Sequence, residues 1–164
     1  MRMLMRFDGV PSEPGWVAVN DGVMGGRSSG APAIVAGTLH FTGILSLANN
    51  GGFSSIRTVR RSFDLAYVTA LVLRVRGDGR AYQLRLKTDA TVRGIAVAYS
   101  APFTAPAGRW TEARVPLDQL RPSVRGTTLD GPPFEPTNVT EIGLLIGDHR
   151  EGPFALAVDW IGMD

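Results

Sequence analysis

The stretch from residue 68 to residue 87 limits the fold more than any other part of the chain. Its two halves alternate apolar and polar residues at period two, and Asp78-Gly79 stands between them. Asp-Gly is a turn pair of type I′ hairpins, whose two central residues need positive φ. With that pair at the turn, Val75 is expected opposite Tyr82, Leu73 opposite Leu84 and Leu71 opposite Leu86, all on one face. Arg74, Arg76, Arg85 and Lys87 then share the other face with no acid among them.

The same texture runs along the chain. Short apolar or β-branched runs fall at 33–41, 44–47, 53–59, 68–76, 82–87, 94–100, 110–115, 139–146 and 154–161. The 20 glycines and 11 prolines are dispersed between them. About nine short strands with Gly/Pro turns predict an all-β sandwich or barrel. Helix is expected only as one turn near 117–120, before Pro122. Residues 9–32 and 121–138 read as long loops. No linker, repeat or low-complexity tract interrupts the pattern, so one domain over 1–164 is expected.

Composition removes several classes of function. There is no cysteine, which excludes disulfides, thiolate metal sites and a cysteine nucleophile. His40 and His149 are the only histidines, too few for a His-rich metal centre. The formal charge of +2 does not mark a nucleic-acid binder. No apolar run approaches the length of a membrane span, and the first eight residues do not form a signal sequence. The expected compartment is the cytoplasm, and no cofactor or metal is implied.

Two glycine-rich loops carry the candidate site residues. Trp16 and Asn20-Asp21-Gly22-Val23-Met24-Gly25-Gly26-Arg27-Ser28 form the first. It reads as a ligand-holding loop, or as a cap over one sandwich end with Trp16 and Met24 as plugs. Asn49-Asn50-Gly51-Gly52-Phe53-Ser54-Ser55-Ile56-Arg57 forms the second. Arg57 lies in an otherwise uncharged strand and needs a carboxylate, for which Asp21 is the expected partner. The cationic face of the 68–87 hairpin is a third candidate. It reads as a site for an anion or acidic partner, or as a face neutralised by Glu112 or Glu141. Trp16, Trp110 and Trp160 all read as core; Trp160 alternates with Phe154, Leu156 and Val158, and partial exposure is the alternative for Trp110 at its strand start. Asp148, His149 and Glu151 read as a polar loop or, equally, as a small metal cluster, with His149 expected to be exposed and unliganded.

Taken in order with Arg76-Gly77-Asp78-Gly79-Arg80-Ala81-Tyr82, Trp110 and Arg125-Gly126, these motifs resemble the complex I intermediate-associated protein 30 family. The resemblance runs from about Phe7 to Ile161. It implies a jelly-roll β-sandwich of the galactose-binding-like type. It also implies a non-enzymatic assembly factor whose partners are respiratory-complex subunits or other assembly factors, with no catalytic residue to carry over. The motif starts near the beginning of the sequence, so a compact version without a mitochondrial targeting extension is expected.

Two other functions use the same residues. A carbohydrate-binding module would draw on the fold, the aromatics and the loop Asn, Asp and Arg side chains, with a glycan as ligand. A hydrolase would need paired carboxylates such as Asp21 and Asp148. The favoured reading is a binding or assembly factor with a protein partner. Its site is expected at Asn20, Asp21, Met24, Asn50 and Arg57, and then at Arg74, Arg76 and Arg85.

Overall fold

A computed structural model describes residues 1–9 and 15–164. Thirteen strands follow one another among these residues. They are β1 (Arg2–Arg6), β2 (Trp16–Asn20), β3 (Ser29–Val35), β4 (Thr38–Leu45), β5 (Ser54–Thr58), β6 (Ala70–Arg76), β7 (Ala81–Val92), β8 (Ile95–Thr104), β9 (Thr111–Pro116), β10 (Arg121–Val124), β11 (Thr127–Thr128), β12 (Glu141–Ile146) and β13 (Gly152–Met163). The first sheet has the order β3-β4-β13-β6-β9, with β1 also on β13. The second has the order β11-β10-β8-β7-β12-β5-β2. All strand pairings within both sheets are antiparallel. The result is the all-β jelly-roll sandwich that the sequence predicts. The single helical turn expected before Pro122 is a 3-10 turn at Leu117–Gln119.

The core lies between the sheets. Leu39, Phe41, Leu71, Leu73 and Val75 from the first sheet and Tyr82, Leu84, Leu86, Ile142 and Leu144 from the second are all at most 1% exposed. Phe41 meets Tyr82 edge-on across the gap, with ring centroids 6.4 Å apart.

The expected hairpin at Asp78-Gly79 does not form. Val75 pairs with Val158 and Thr111, and Tyr82 pairs with Phe103. β6 and β7 belong to different sheets, and Asp78-Gly79 is the corner between them. Alternation identifies which side chains face the core. Two strands facing each other across a sandwich show the same alternation as two strands in one hairpin, so the pattern does not choose the partner. The corner has its own bonding. The Asp78 carboxylate accepts from the Arg80 and Ala155 backbone N–H groups and the Tyr82 hydroxyl. The Gly79 N–H donates to the Ala105 carbonyl at 2.9 Å. Two-residue turns with positive φ at both positions occur instead at Ala36-Gly37, Arg93-Gly94 and Arg125-Gly126.

The other departures are local. The run at 33–41 is split by the Ala36-Gly37 turn into β3 and β4. The expected loop at 9–32 contains β2 and the start of β3, while its residues 10–14 lie outside the described residues. The loop at 121–138 contains the small hairpin β10–β11. A register shift between Val158 and Trp160 reverses the parity of β13, so Ile161 takes the buried position and Trp160 is only half-buried.

Candidate functional site

The first glycine-rich loop is organised around a buried carboxylate. Asp21 opens the 3-10 turn Asp21–Met24 and is 0% exposed. Its Oδ1 accepts from the Ser28 N–H at 2.9 Å. Its Oδ2 accepts from the Ser28 hydroxyl at 2.6 Å, the Gly52 N–H at 2.7 Å and the Phe53 N–H at 3.3 Å. Burial pushes this pKa up. The Ser28 hydroxyl and the three backbone N–H groups outweigh it, and the carboxyl sits below its ordinary value. The Ser46 N–H donates in turn to the Ser28 hydroxyl oxygen at 2.9 Å. A Cβ on Gly26 or Gly51 would lie 2.4 or 2.5 Å from the Asp21 carboxylate group. The two glycines are therefore required by the approach of that side chain.

The expected Asp21–Arg57 pair is not present. Arg57 lies on the outer face of β5, and its Nε is 3.7 Å from Glu141 Oε1. Period two explains the difference: Ser54, Ile56 and Thr58 turn inward, so Arg57 turns out. Asn20 is also engaged. It donates from Nδ2 to the Gly30 carbonyl at 3.1 Å and accepts from the Ser54 hydroxyl at 2.5 Å. Met24 is 65% exposed and plugs nothing. Asn50 is exposed, and the neighbouring Asn49 ties its turn to the first loop through the Gly25 carbonyl at 3.0 Å.

The expected single cationic face is divided between the sheets. Arg74 and Arg76 stand on the outer face of the first sheet, where both guanidinium groups lie over the Trp110 ring, at 5.7 and 5.0 Å. Arg74 also pairs with Asp159 at 3.4 Å. Arg85 and Lys87 stand on the outer face of the second sheet because β7 belongs there. In place of the lost hairpin, the register makes a new cluster. Gly143 of β12 is paired with Arg57 on one side and Arg85 on the other. Glu141 is paired with Lys87, whose Nζ is 3.7 Å from its carboxylate. These residues surround a depression of about 160 Å³, with Val19 and Phe53 on its wall. Burial lowers the pKa of both Arg85 and Lys87, with Glu141 opposing the shift and Arg57 reinforcing it. Sequence reasoning placed Arg57 and Arg85 in separate sites, named Lys87 only as part of the cationic face and Glu141 only as an acid that could neutralise it, and did not select Gly143. A glycine inside an apolar strand was the available signal.

Arg80 was also not selected as a site residue. It is 6% exposed, and its guanidinium grips the Asp148 carboxylate through two bonds, at 2.9 and 2.6 Å. It also donates to the carbonyls of Arg150, Gly152 and Pro153. Glu151 accepts from the Leu47 N–H at 2.9 Å. Asp148 and Glu151 thus hold the 147–153 segment in place. A larger, open groove of about 610 Å³ lies under the 129–136 segment, lined by Leu117, Leu120, Leu129, Phe134 and several prolines. It contains none of the expected site residues.

Solved structures define the class of fold. The family 11 carbohydrate-binding module of a Clostridium thermocellum cellulosomal cellulase is similar with a TM-score of 0.69, at 14% identity. The match covers 99% of this chain and 92% of that one. A family 30 carbohydrate-binding module is similar with a TM-score of 0.56, at 18% identity over 78% of this chain and 76% of its own. At such identities the likeness concerns the sandwich fold alone.

Sequence comparison then gives the family. The family model described as complex I intermediate-associated protein 30 matches residues 5–158, and the chain belongs to that family. The mouse (Mus musculus) protein "Complex I intermediate-associated protein 30, mitochondrial" is 27% identical over 90% of this chain and 51% of its own length. The Drosophila melanogaster protein of the same name is 30% identical over 69% of this chain and 43% of its own. The chain spans about half the length of these curated relatives. Both relatives are named mitochondrial, which overturns the expectation of a cytoplasmic protein.

Proposed function

We propose that this chain is a non-enzymatic binding factor of the complex I assembly type, acting through protein contacts on the outer face of its second sheet. The observation that carries this reading is the cluster of Arg57, Arg85 and Lys87 around an open depression with one carboxylate, Glu141. An excess of positive charge on an open strand face favours an acidic partner surface and steers its approach. Family membership and the names of the two relatives support complex I intermediates as the source of that partner. The bonding of the carboxylates weighs against hydrolysis: Asp21, Asp78 and Asp148 are each committed to backbone amides or to Arg80.

The test is capture of partners by the tagged chain from detergent-solubilised mitochondria, read by mass spectrometry. Complex I subunits are expected, and Arg57→Ala combined with Arg85→Ala should deplete them. Capture of no complex I subunit would overturn the reading. Carbohydrate binding, the alternative, rests on fold alone. A glycan array that bound this chain through neutral sugars would move the function there.

A further inference from the structure

We propose that the depression between Arg57, Arg85 and Lys87 is a carboxylate site, and that it takes a Glu or Asp side chain of an acidic peptide segment with Arg85 as the direct contact. The peptide source rests on the protein-contact reading above, whereas the carboxylate site stands on the geometry alone.

Charge count comes first. Three cations converge, and Glu141 is the one acid among them, 3.7 Å from both Arg57 Nε and Lys87 Nζ. One acid offsets one of three positive charges, and at 3.7 Å from Arg57 Nε it leaves guanidinium donors free. Arg85 is half-buried between its neighbours, and its guanidinium forms no hydrogen bond or ion pair with any described residue. A guanidinium carries five N–H donors in a planar fork that fits a carboxylate. Desolvation without a partner is costly, and an incoming acceptor offsets it.

Shape comes second. Gly143, in register between Arg85 and Arg57, contributes no side chain, which leaves the floor open. A depression of about 160 Å³ has the volume of about five waters, enough for a carboxylate and its methylene stem. Val19 and Phe53 supply an apolar wall for that stem. A compact dianion such as phosphate gains nothing from this wall and meets Glu141 with twice the repulsion. Neutral sugar hydroxyls accept hydrogen bonds from these groups but gain nothing from their charge.

The purified full chain is titrated by calorimetry with an octaglutamate peptide at about 50 mM salt, where screening is weak. Octaglutamine, inorganic phosphate and oligoglucuronate are titrated in parallel. Octaglutamate is expected to bind and octaglutamine not to. Arg85→Gln should weaken octaglutamate binding about tenfold without changing the melting temperature. Glu141→Gln should tighten it severalfold, because it removes the competing acid. A merely structural Glu141 would not give that gain. No octaglutamate binding, or no change in Arg85→Gln, overturns the site. Equal or tighter phosphate binding overturns the carboxylate assignment, and preferred oligoglucuronate binding replaces the peptide with an acidic glycan. Octaglutamate binding without capture of complex I subunits would keep the site and overturn the assembly reading alone.

Discussion

Asp21→Asn is the substitution that most directly tests the bonding of the first loop. The native carboxylate has three donors on Oδ2 and one on Oδ1. An amide keeps one oxygen. Placed at the Oδ2 position, it retains the Ser28 hydroxyl and the Gly52 and Phe53 N–H groups. Its NH2 then faces the Ser28 N–H, donor against donor. One buried orphaned donor costs about 1–3 kcal/mol. The three surviving bonds lose their charge assistance, at about 0.5–1 kcal/mol each. Removing a buried charge also recovers part of its desolvation, leaving a net loss of about 2–4 kcal/mol. For a chain of this size, that lowers the melting temperature by roughly 5–15 °C. Scanning calorimetry of the wild type and of Asp21→Asn measures it. Gly26→Ala should fall in the same direction, since its Cβ would lie 2.4 Å from Asp21 Cγ. The two changes together should be less than additive, because they disturb one group. Met24→Ala, in the same turn but exposed, should stay within about 0.5 kcal/mol. A drop of less than about 2 °C for Asp21→Asn would refute the view of this loop as a bonded latch.

Three further outcomes follow from the bonding described. Arg80→Lys loses the paired bonds to Asp148 and leaves the carbonyls of Gly152 and Pro153 without their guanidinium donors. A loss of about 1–3 kcal/mol is expected in urea unfolding, since lysine keeps the charge but not the planar fork, and a loss below about 0.5 kcal/mol would contradict the structural role given to Arg80. Asp21 and Asp148 both have folded pKa values below the ordinary carboxylate value. Their contribution is therefore complete above the unfolded pKa, about 3.9, and is lost as pH falls through the folded values. The melting temperature should be flat from about pH 7 to pH 5 and fall below about pH 4, with a shallower acid fall in Asp21→Asn. Trp110→Ala removes the ring under Arg74 and Arg76 and should cost about 1–2 kcal/mol in thermal unfolding. Octaglutamate binding should not change in that variant, because Arg85 lies on the other sheet; a change would contradict the division of the cationic face.

The fold was legible because strand-forming alternation and glycine punctuation are local properties. Leu71, Leu73 and Val75 face the core, as do Tyr82, Leu84 and Leu86, as period two requires. What alternation omits is which strand lies alongside. The corner at Asp78-Gly79 depends on Ala105 and Ala155, residues remote in sequence, and no local rule brings them there. The error at the corner then spread to the site. A hairpin would have put Arg74 and Arg76 beside Arg85, whereas the sandwich turns them to opposite outer faces. Arg57 shows the same dependence in reverse. Its need for a carboxylate was readable from its strand, but its partner was set by the register of β12 with β5 and β7, which places Glu141 and Gly143 next to it. The double glycines were legible as places of close approach, yet the approaching group is the side chain of Asp21. A buried carboxylate that accepts backbone N–H groups resembles a ligand-binding aspartate in sequence. Only the four donors around it distinguish a latch from a site, and that distinction is why the proposed binding surface lies on the face of the second sheet and not at the sandwich end.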